Sequence, residues 1–320
     1  MPVNANRPER WKSDIAQSVD LYNNWFLQFA PETYRKTRVE TTKQVENVFA
    51  WTAQLTNISS AVLQQYPSIL PTLRMTTAQP LARDRLIGLA GVSPHLVRSM
   101  EIQNQLPGQM DNEKIDEELA KVGQVIMRLS DDDLFPWLVS GKQPTDVELY
   151  RAATIVADRL CGAAVDPILR NAQEQRQLEN IRQWLVQRGY TQVKAGERVR
   201  FDAIKPGMFA FRLNIQVMQD RDARRVIIPV DTVIMPLHSK AGAYPLLIEA
   251  KSAGDFTNTN KRRKEEATKV AQLRSNYGSG IRFVLFLCGY FDSGYLGYEA
   301  AEGIDWVWEH RIDDLAEFGV

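Results

Sequence analysis

The sequence predicts an α/β (α+β) protein in which an all-helical region, residues 1–165, precedes an open mixed β-sheet flanked by helices, residues 166–320. In the first region apolar residues recur every three or four positions, as in "DIAQSVDLYNNWFLQFA", which is the spacing of an amphipathic helix. In the second region short apolar runs such as "RRVIIPVDTVIM" and "IRFVLFLCGYF" are typical of strands. We therefore expect two domains that meet near residue 165.

Proline and glycine divide the first region into several helices, at "YPSILPTL", "GVSP", "LPGQ" and "SGKQPTD". The segment "RDRLIGLAGVSPHLVRSMEIQ" resembles a helix-turn-helix, with a turn at Gly91, Ser93 as N-cap and Pro94 at the first helical position. Its second helix would expose His95 and Arg98 for contact with DNA. Two helices that simply pack together across a short turn would give the same pattern.

The second region has the predicted order helix, three strands, helix, two strands. Its first helix, "DPILRNAQEQRQLENIRQWLVQRGY", ends at Gly189, and "GMFAFRLNIQVM", "RRVIIPVDTVIM" and "AYPLLIEAKSA" follow as strands. These three strands can pair as a meander. The polar helix "TNTNKRRKEEATKVAQLRSNYG" can then carry the chain across the sheet to "IRFVLFLCGYF", before the last strand in "GIDWVWEHRIDDL".

Composition excludes several classes of protein. No apolar run is long enough for a membrane span, and the polar start "MPVNANRPERWKSD" lacks the apolar core of a signal peptide, which favours the cytoplasm. Cys161 and Cys288 are far apart, so a zinc site or a disulfide framework is not expected. Three scattered histidines and the lack of a Gly-x-x-x-x-Gly-Lys loop argue against a His-ligated hydrolase and an ATP-driven motor.

Three charged residues lie at the ends of apolar strand runs: Asp231 after "VIIPV", and Glu249 and Lys251 after "LLI". Residues two apart in a strand face the same side, so Glu249 and Lys251 share a face that Asp231 can join if the strands pair. Two adjacent carboxylates repel unless a cation such as Mg²⁺ lies between them. A lysine beside such a metal can orient a water or help to deprotonate it, and it can stabilise charge on a phosphate. The alternative is a buried salt bridge with no catalytic role.

The neighbouring helices provide further candidates. Glu174 is in step with Leu178, Ile181 and Leu185 on the apolar stripe of its helix, which suits a role at the metal, whereas a simple helix-starting acid is the alternative. The polar helix carries six basic and two acidic residues between positions 260 and 274, which favours phosphate binding, although a solvated helix face is the alternative. The DNA-contact candidates in and near the sheet are Asn258, Asn260, Lys261, Arg262, Arg263, Lys264 and His238.

Pro229, Asp231, Glu249, Ala250 and Lys251 resemble the PD-(D/E)xK nuclease signature, with one extra residue between the proline and the aspartate. Three further segments make the chain similar to the XamI-like type II restriction endonucleases. They are "WKSDIAQSVDLYNNWFLQFAPETYR", "RDRLIGLAGVSPHLVRSME" and "RNAQEQRQLENIRQWLVQRGY".

This resemblance implies a homodimeric, Mg²⁺-dependent enzyme that cuts both strands of double-stranded DNA at a short palindrome and leaves 5′-phosphates. It also implies a cognate methyltransferase in the host. Asp231, Glu249 and the Ala250 carbonyl would bind the metal, Lys251 would position water, and Glu174 would complete the site. The helical region would serve dimerisation or DNA clamping. A structure-specific repair nuclease of the same superfamily and a non-catalytic DNA-binding protein are the alternatives.

Overall fold

A computed structural model describes residues 2–194, 199–219, 224–240, 242–257 and 259–320. The side chains of residues 219, 224 and 260–263 lie outside that description. The α-helices are α1 (Pro8–Trp51), α2 (Ser60–Gln65), α3 (Leu70–Met75), α4 (Arg83–Ala90), α5 (Pro94–Arg98), α6 (Asn112–Leu129), α7 (Pro136–Ser140), α8 (Asp146–Gln187), α9 (Thr259–Tyr277) and α10 (Ser293–Ala301). The strands are β1 (Thr191–Gln192), β2 (Met208–Gln219), β3 (Arg224–Ile234), β4 (Leu246–Ala253), β5 (Arg282–Gly289) and β6 (Asp305–Trp308).

The chain forms two compact units, one of residues Ala30–Leu169 and one of Met1–Phe29 together with Arg170–Val320. The first unit is helical and has its own core, in which Leu63, Leu70, Leu119 and Phe135 are fully buried. The expectation of a helical region before the sheet is therefore confirmed. The predicted boundary after residue 165 falls inside α8, which begins at Asp146.

In the described residues the sheet has six strands in the order β1-β2-β3-β4-β5-β6. Strands β2, β3 and β4 are antiparallel neighbours, while β4, β5 and β6 are parallel. This confirms the predicted meander and the crossover through α9. The short strand β1, parallel to β2, and the helix α10 between β5 and β6 were not predicted.

Helices cover both faces of this sheet. On one face Ile181, Trp184 and Leu185 of α8 pack with Ile248 and Phe286. On the other face the core includes Val270 and Leu273 of α9 and Leu296 of α10, together with Leu247 and Leu285 of the sheet. The α/β class with an open mixed sheet flanked by helices follows from this packing.

The amino-terminal segment packs with the sheet, although the sequence pattern grouped it with the helical region. The main-chain N–H groups of Val3, Asn4 and Ala5 all donate to the carboxylate of Asp305, at the start of β6. The Ser18 hydroxyl accepts a hydrogen bond from the amide of Gly289, at 2.7 Å. These contacts pair polar groups that are far apart in sequence, which is why helical periodicity alone does not place the segment.

The described residues also test the expectations for membrane-spanning helices and for the state of the two cysteines. No helix there is both long enough and apolar enough to cross a bilayer. Cys161 and Cys288 are both buried and free of disulfides, and burial raises the pKa of each thiol. Both thiols are therefore protonated.

Candidate active site

The strands β3 and β4 separate at the two predicted carboxylates. The paired residues run from Ile234↔Leu246 to Thr232↔Ile248, so Asp231 and Glu249 occupy the next position outward. There the Asp231 side chain takes the place of a main-chain acceptor, because its Oδ2 accepts a hydrogen bond from the Ala250 amide at 2.8 Å. The end of strand pairing thus places two carboxylates side by side.

The alternation of side chains also shifts at this point. Val230 and Val233 of β3 are three residues apart, yet both belong to the same buried cluster. On β2, Ala210 and Leu213 show the same spacing and pack in that cluster too. Strand residues on one face are normally two apart. The alternation of side chains between the two faces is therefore interrupted in both strands between these positions. Asp231 lies at the change, where its carboxylate can leave the packed core.

Glu249 and Lys251 lie on one face of β4 as predicted, and α9 supplies a partner to each. Lys251 Nζ is 3.1 Å from Glu249 Oε1 and 2.8 Å from Glu266 Oε1. Lys269 Nζ donates to the same Glu249 Oε1 at 2.6 Å. The Glu266 side chain is only 1% exposed. Two acids and two lysines therefore alternate across the gap between β4 and α9.

Burial and charge perturb the ionisation of this cluster. Burial, followed by the negative charge of Glu249, raises the pKa of Asp231 to about 6, while the hydrogen bond from Ala250 opposes the shift. Burial lowers the pKa of Lys251, but the carboxylates of Glu266 and Glu249 outweigh it and leave that pKa raised. Lys251 is therefore a cation at neutral pH. In this arrangement it can orient a water and stabilise negative charge.

The carboxylates of Asp231 and Glu249 fit a hard divalent cation. Glu249 is 6% exposed, and its Oε2 is buried without a hydrogen-bond partner in the described part of the chain. Both lysines contact Oε1, so the buried Oε2 is the oxygen that remains available to a metal ion or a hydrogen-bond donor. Within the described residues no three His, Cys, Asp or Glu side chains converge into a metal cage. Two carboxylates, completed by main-chain, water and phosphate oxygens, match the ligand preference of Mg²⁺.

Glu174 lies at the edge of this site and does not face the core. Its side chain is 36% exposed, and it pairs with Arg212 Nη2 of β2 at 2.7 Å. Its charge contributes to the raised pKa of Asp231, which places it within electrostatic reach of the predicted metal ligands. Glu179 instead forms a local ion pair with Arg182 on α8.

The predicted DNA contacts are distributed over both units. In the sheet unit Lys264 is exposed on α9 and His238 is exposed in the loop after β3. Asn258 lies outside the described residues, as do the side chains of Asn260, Lys261, Arg262 and Arg263.

The helix-turn-helix pattern lies in the helical unit as α4 and α5. Gly91 ends α4 in the left-handed conformation, at φ 61°. Ser93 caps α5 as predicted, because its hydroxyl accepts a hydrogen bond from the His95 amide at 3.3 Å. His95 and Arg98 are exposed. The second helix has only five residues before it passes into a π-helical turn, Ser99–Gln103.

Sequence reasoning missed two residues at the site, Glu266 and Arg212. Glu266 precedes Val270 and Leu273 by four and seven positions, so helical periodicity does place it on the buried stripe of α9. Arg212 occupies a polar position in the alternating pattern of β2 and carries no comparable signal. The sequence predicts for Lys269 only a place on the basic helix, whereas in the structure it contacts Glu249 directly.

A further buried acid lies on α10. Glu299 is fully buried, and burial, with the nearby charge of Glu266, raises its pKa to about 8. At neutral pH Glu299 is therefore predominantly protonated. Glu266, between Glu299 and Lys251, is the acid that contacts the lysine directly, at 2.8 Å.

Comparison with known proteins adds three findings. The model of the XamI restriction endonuclease family matches residues 53–308. The type II restriction enzyme SalI of Streptomyces albus G is 53% identical over 317 residues, which cover 99% of this chain and 99% of that enzyme. The crystal structure of protein VC1899 from Vibrio cholerae matches 80% of this chain and 55% of its own length, at 11% identity. Its TM-score of 0.28 is too low to define the fold.

Proposed function

The chain belongs to the XamI restriction endonuclease family and is a site-specific type II restriction endonuclease, and we propose that Asp231, Glu249 and Lys251 are its catalytic residues within a PD-(D/E)xK core. The observation that supports this assignment is the end of pairing between β3 and β4. It brings the carboxylates of Asp231 and Glu249 together, with Lys251 Nζ 3.1 Å from Glu249 Oε1. This residue set and its placement on adjacent strands support the proposal of a PD-(D/E)xK core.

A divalent metal is the cofactor of this proposal, and Mg²⁺ is the ion that suits the oxygen donors of Asp231, Glu249 and the Ala250 carbonyl. When bound, it would polarise the scissile phosphate and lower the pKa of a coordinated water. Asp231 and Glu249 hold the site, and the buried Oε2 of Glu249 provides an oxygen with no other described partner. Glu174, which pairs with Arg212 at the site's edge, is proposed as a further acid that orients the water.

Lys251 contributes a fixed positive charge to the reaction. Glu266 and Glu249 hold its ammonium group from two sides, which restricts it to the space beside the carboxylates. Preorganised charge of this kind stabilises the extra negative charge that develops on phosphorus oxygens as water attacks. Attack by water on phosphorus breaks the P–O3′ bond, so the products carry a 5′-phosphate and a 3′-hydroxyl.

Double-stranded DNA is the substrate, and we propose that a homodimer cuts both strands at a short palindrome. A two-fold dimer presents the same site to each strand of a palindromic duplex. The helical region is proposed to contribute the dimer contact or a DNA clamp. We expect a cognate methyltransferase in the host, because an unprotected genome would be cut at the same sites.

The proposed contacts to DNA fall into two groups. Lys264, the adjacent basic residues of α9 and the polar segment before it are proposed to bind phosphates, and His238 lies in an exposed loop of the same unit. His95 and Arg98 are proposed as contacts of the helical unit. Asn258, Asn260, Lys261, Arg262 and Arg263 are proposed as further DNA contacts on the sequence alone.

Digestion of unmethylated phage DNA with the purified protein and Mg²⁺ tests the function. We expect discrete fragments, which disappear with EDTA and with Lys251→Ala, whereas Lys142→Ala, at an exposed lysine of the helical unit, leaves the pattern unchanged. A smear would indicate a nuclease without a defined site, and intact DNA that remains bound would indicate a non-catalytic binder.

Two additions sharpen this experiment. Lys251→Ala leaves Glu266 buried without its cation, so a Lys251→Met/Glu266→Gln double variant provides a neutral pair of similar size whose folding can be verified before its activity is measured. A parallel digest with the Streptomyces albus G relative shows whether the two proteins share a target, because identical fragments require the same sites. Sequencing the fragment ends gives the recognition sequence and the stagger.

A further inference from the structure

Arg212 of β2 lies directly across the strand pair from Asp231. The flanking pairs are Phe211↔Thr232 and Leu213↔Val230, so Arg212 occupies the position opposite the aspartate. Asp231 in turn is the next position outward from Thr232↔Ile248 and lies beside Glu249. One row across the sheet therefore contains an arginine and the two carboxylates of the catalytic site.

The main chain at Arg212 has a conformation that an arginine adopts only at a cost. Its φ is 53°, in the left-handed region that favours glycine. The other described non-glycine residues with positive φ are Ala53, Gln54, Leu55 and Asn104, all outside the strands. Left-handed residues inside a strand are uncommon, and retained strain of this kind concentrates at functional sites. A glycine would satisfy the backbone here at no cost, so the presence of an arginine points to a role for its side chain.

The guanidinium is held at the edge of the site and remains accessible. Nε and Nη2 of Arg212 lie 3.0 and 2.7 Å from the same oxygen, Oε1 of Glu174. The side chain is nevertheless 54% exposed. A guanidinium has five N–H donors in a fixed plane, so contact with a single carboxylate oxygen leaves donors that can bind a second anion. Glu174 therefore orients the group without saturating it.

We infer that Arg212 binds the phosphate at the cleavage site and holds it against Asp231 and Glu249. A guanidinium can bind two oxygens of one phosphate in a fixed geometry, which a lysine cannot reproduce. Its charge would stabilise the additional negative charge on the phosphate as water attacks. This inference rests on the proposed function, because the phosphate must reach the carboxylates of this site.

The test compares Arg212→Gly, Arg212→Lys and the matched control Arg182→Gln. Arg182 belongs to a similar ion pair on α8, with Glu179, and its side chain is 41% exposed. Single-turnover cleavage of a duplex that carries the mapped target is measured with Mg²⁺. DNA affinity is measured with Ca²⁺ in place of Mg²⁺, over a range of salt concentrations, and thermal unfolding is followed for each variant.

We expect Arg212→Gly and Arg212→Lys to lower the single-turnover rate by about 100-fold or more, the usual effect of removing one preorganised donor from a transition state. For Arg212→Gly the melting temperature should stay equal to wild type or rise, because glycine relieves the left-handed strain. The slope of log Kd against log salt should decrease by about one for Arg212→Gly, as for the loss of one phosphate contact, and should be kept by Arg212→Lys. Arg182→Gln should change none of these quantities.

Cleavage by Arg212→Gly within about threefold of wild type would overturn the inference, because a preorganised phosphate ligand cannot be removed at so small a cost. An unchanged salt slope for Arg212→Gly would overturn it as well, even for a wild-type protein that binds DNA without cutting it. The binding measurement thus tests Arg212 separately from the proposed nuclease activity, which the wild-type digest alone decides.

Discussion

Replacing Asp231 by asparagine should stabilise the metal-free protein while abolishing cleavage. Asparagine has nearly the same shape, and its carbonyl oxygen can still accept the hydrogen bond that the Ala250 amide donates to Asp231 Oδ2 at 2.8 Å. The substitution therefore removes the negative charge and retains the local geometry. Catalysis should be lost because one of the two proposed metal ligands has lost its charge.

The expected change in the free energy of unfolding follows from the pKa of Asp231, which burial and the charge of Glu249 raise from 3.8 to about 6. The native protein binds this proton more tightly than the unfolded chain, so the free energy of unfolding falls as the pH rises from about 4 to about 6. At about 1.36 kcal/mol per pKa unit, the loss reaches about 3 kcal/mol above pH 6. Partial exposure of the carboxylate reduces this value, so we expect Asp231→Asn to gain about 1 to 3 kcal/mol at pH 7.5.

Urea unfolding at pH 4.5 and pH 7.5 without metal measures this effect. The difference between Asp231→Asn and wild type should be larger at pH 7.5 than at pH 4.5. Added Mg²⁺ should stabilise wild type at pH 7.5 more than the variant. Asp132→Asn, at an exposed aspartate, provides the matched control and should show no pH-dependent difference. A variant less stable than wild type at pH 7.5, or a difference independent of pH, would refute the reasoning.

Three further outcomes are expected. Lys269→Met should bind Mg²⁺ roughly tenfold more tightly by calorimetry, because Lys269 and the metal compete for the carboxylate of Glu249; weaker binding would contradict this competition. Burial raises the pKa of Glu299 to about 8, so the stability gained by Glu299→Gln should grow between about pH 4.5 and pH 8 and then remain constant; a gain independent of pH in urea unfolding would count against the assignment. Lys251→Met should destabilise by about 3 to 5 kcal/mol, since Glu266 is left buried without its cation. Lys251→Met/Glu266→Gln should recover most of that stability in urea unfolding but no cleavage, and a cleaving double variant would remove Lys251 from the catalytic set.

The sequence predicts the sheet well because strands that follow one another along the chain are also neighbours in the sheet. Strands β2, β3 and β4 follow one another along the chain with no helix between them, so alternation and turn residues suffice to place them as a meander. The same alternation places Glu249 and Lys251 on one face of β4. Where alternation shifts, at Asp231, the sequence still shows an acid after a β-branched run, which is why the residue could be selected without a structure.

The partners of these residues could not be predicted with the same rules. Lys269 and Glu249 are 20 positions apart, and their contact depends on how α9 lies on the sheet, which periodicity does not determine. Glu174 matches the apolar stripe of α8 in sequence but lies beyond the packed part of that stripe, where it meets Arg212. The left-handed conformation of Arg212 is imposed by the change of face in two paired strands, and no local propensity of the residue indicates it.

The charges of the proposed site predict that metal and DNA binding are coupled there. At neutral pH the carboxylates of Asp231, Glu249 and Glu266 face the ammonium groups of Lys251 and Lys269, which leaves one net negative charge in a poorly solvated space. A divalent cation changes this to one net positive charge, and a phosphodiester with one negative charge then neutralises it. The Glu174–Arg212 pair is itself neutral, and the protonated Glu299 adds nothing. Because uncompensated charge is costly in such a space, metal bound without DNA and DNA bound without metal are each less favourable than both together, so each should strengthen the binding of the other by the same factor.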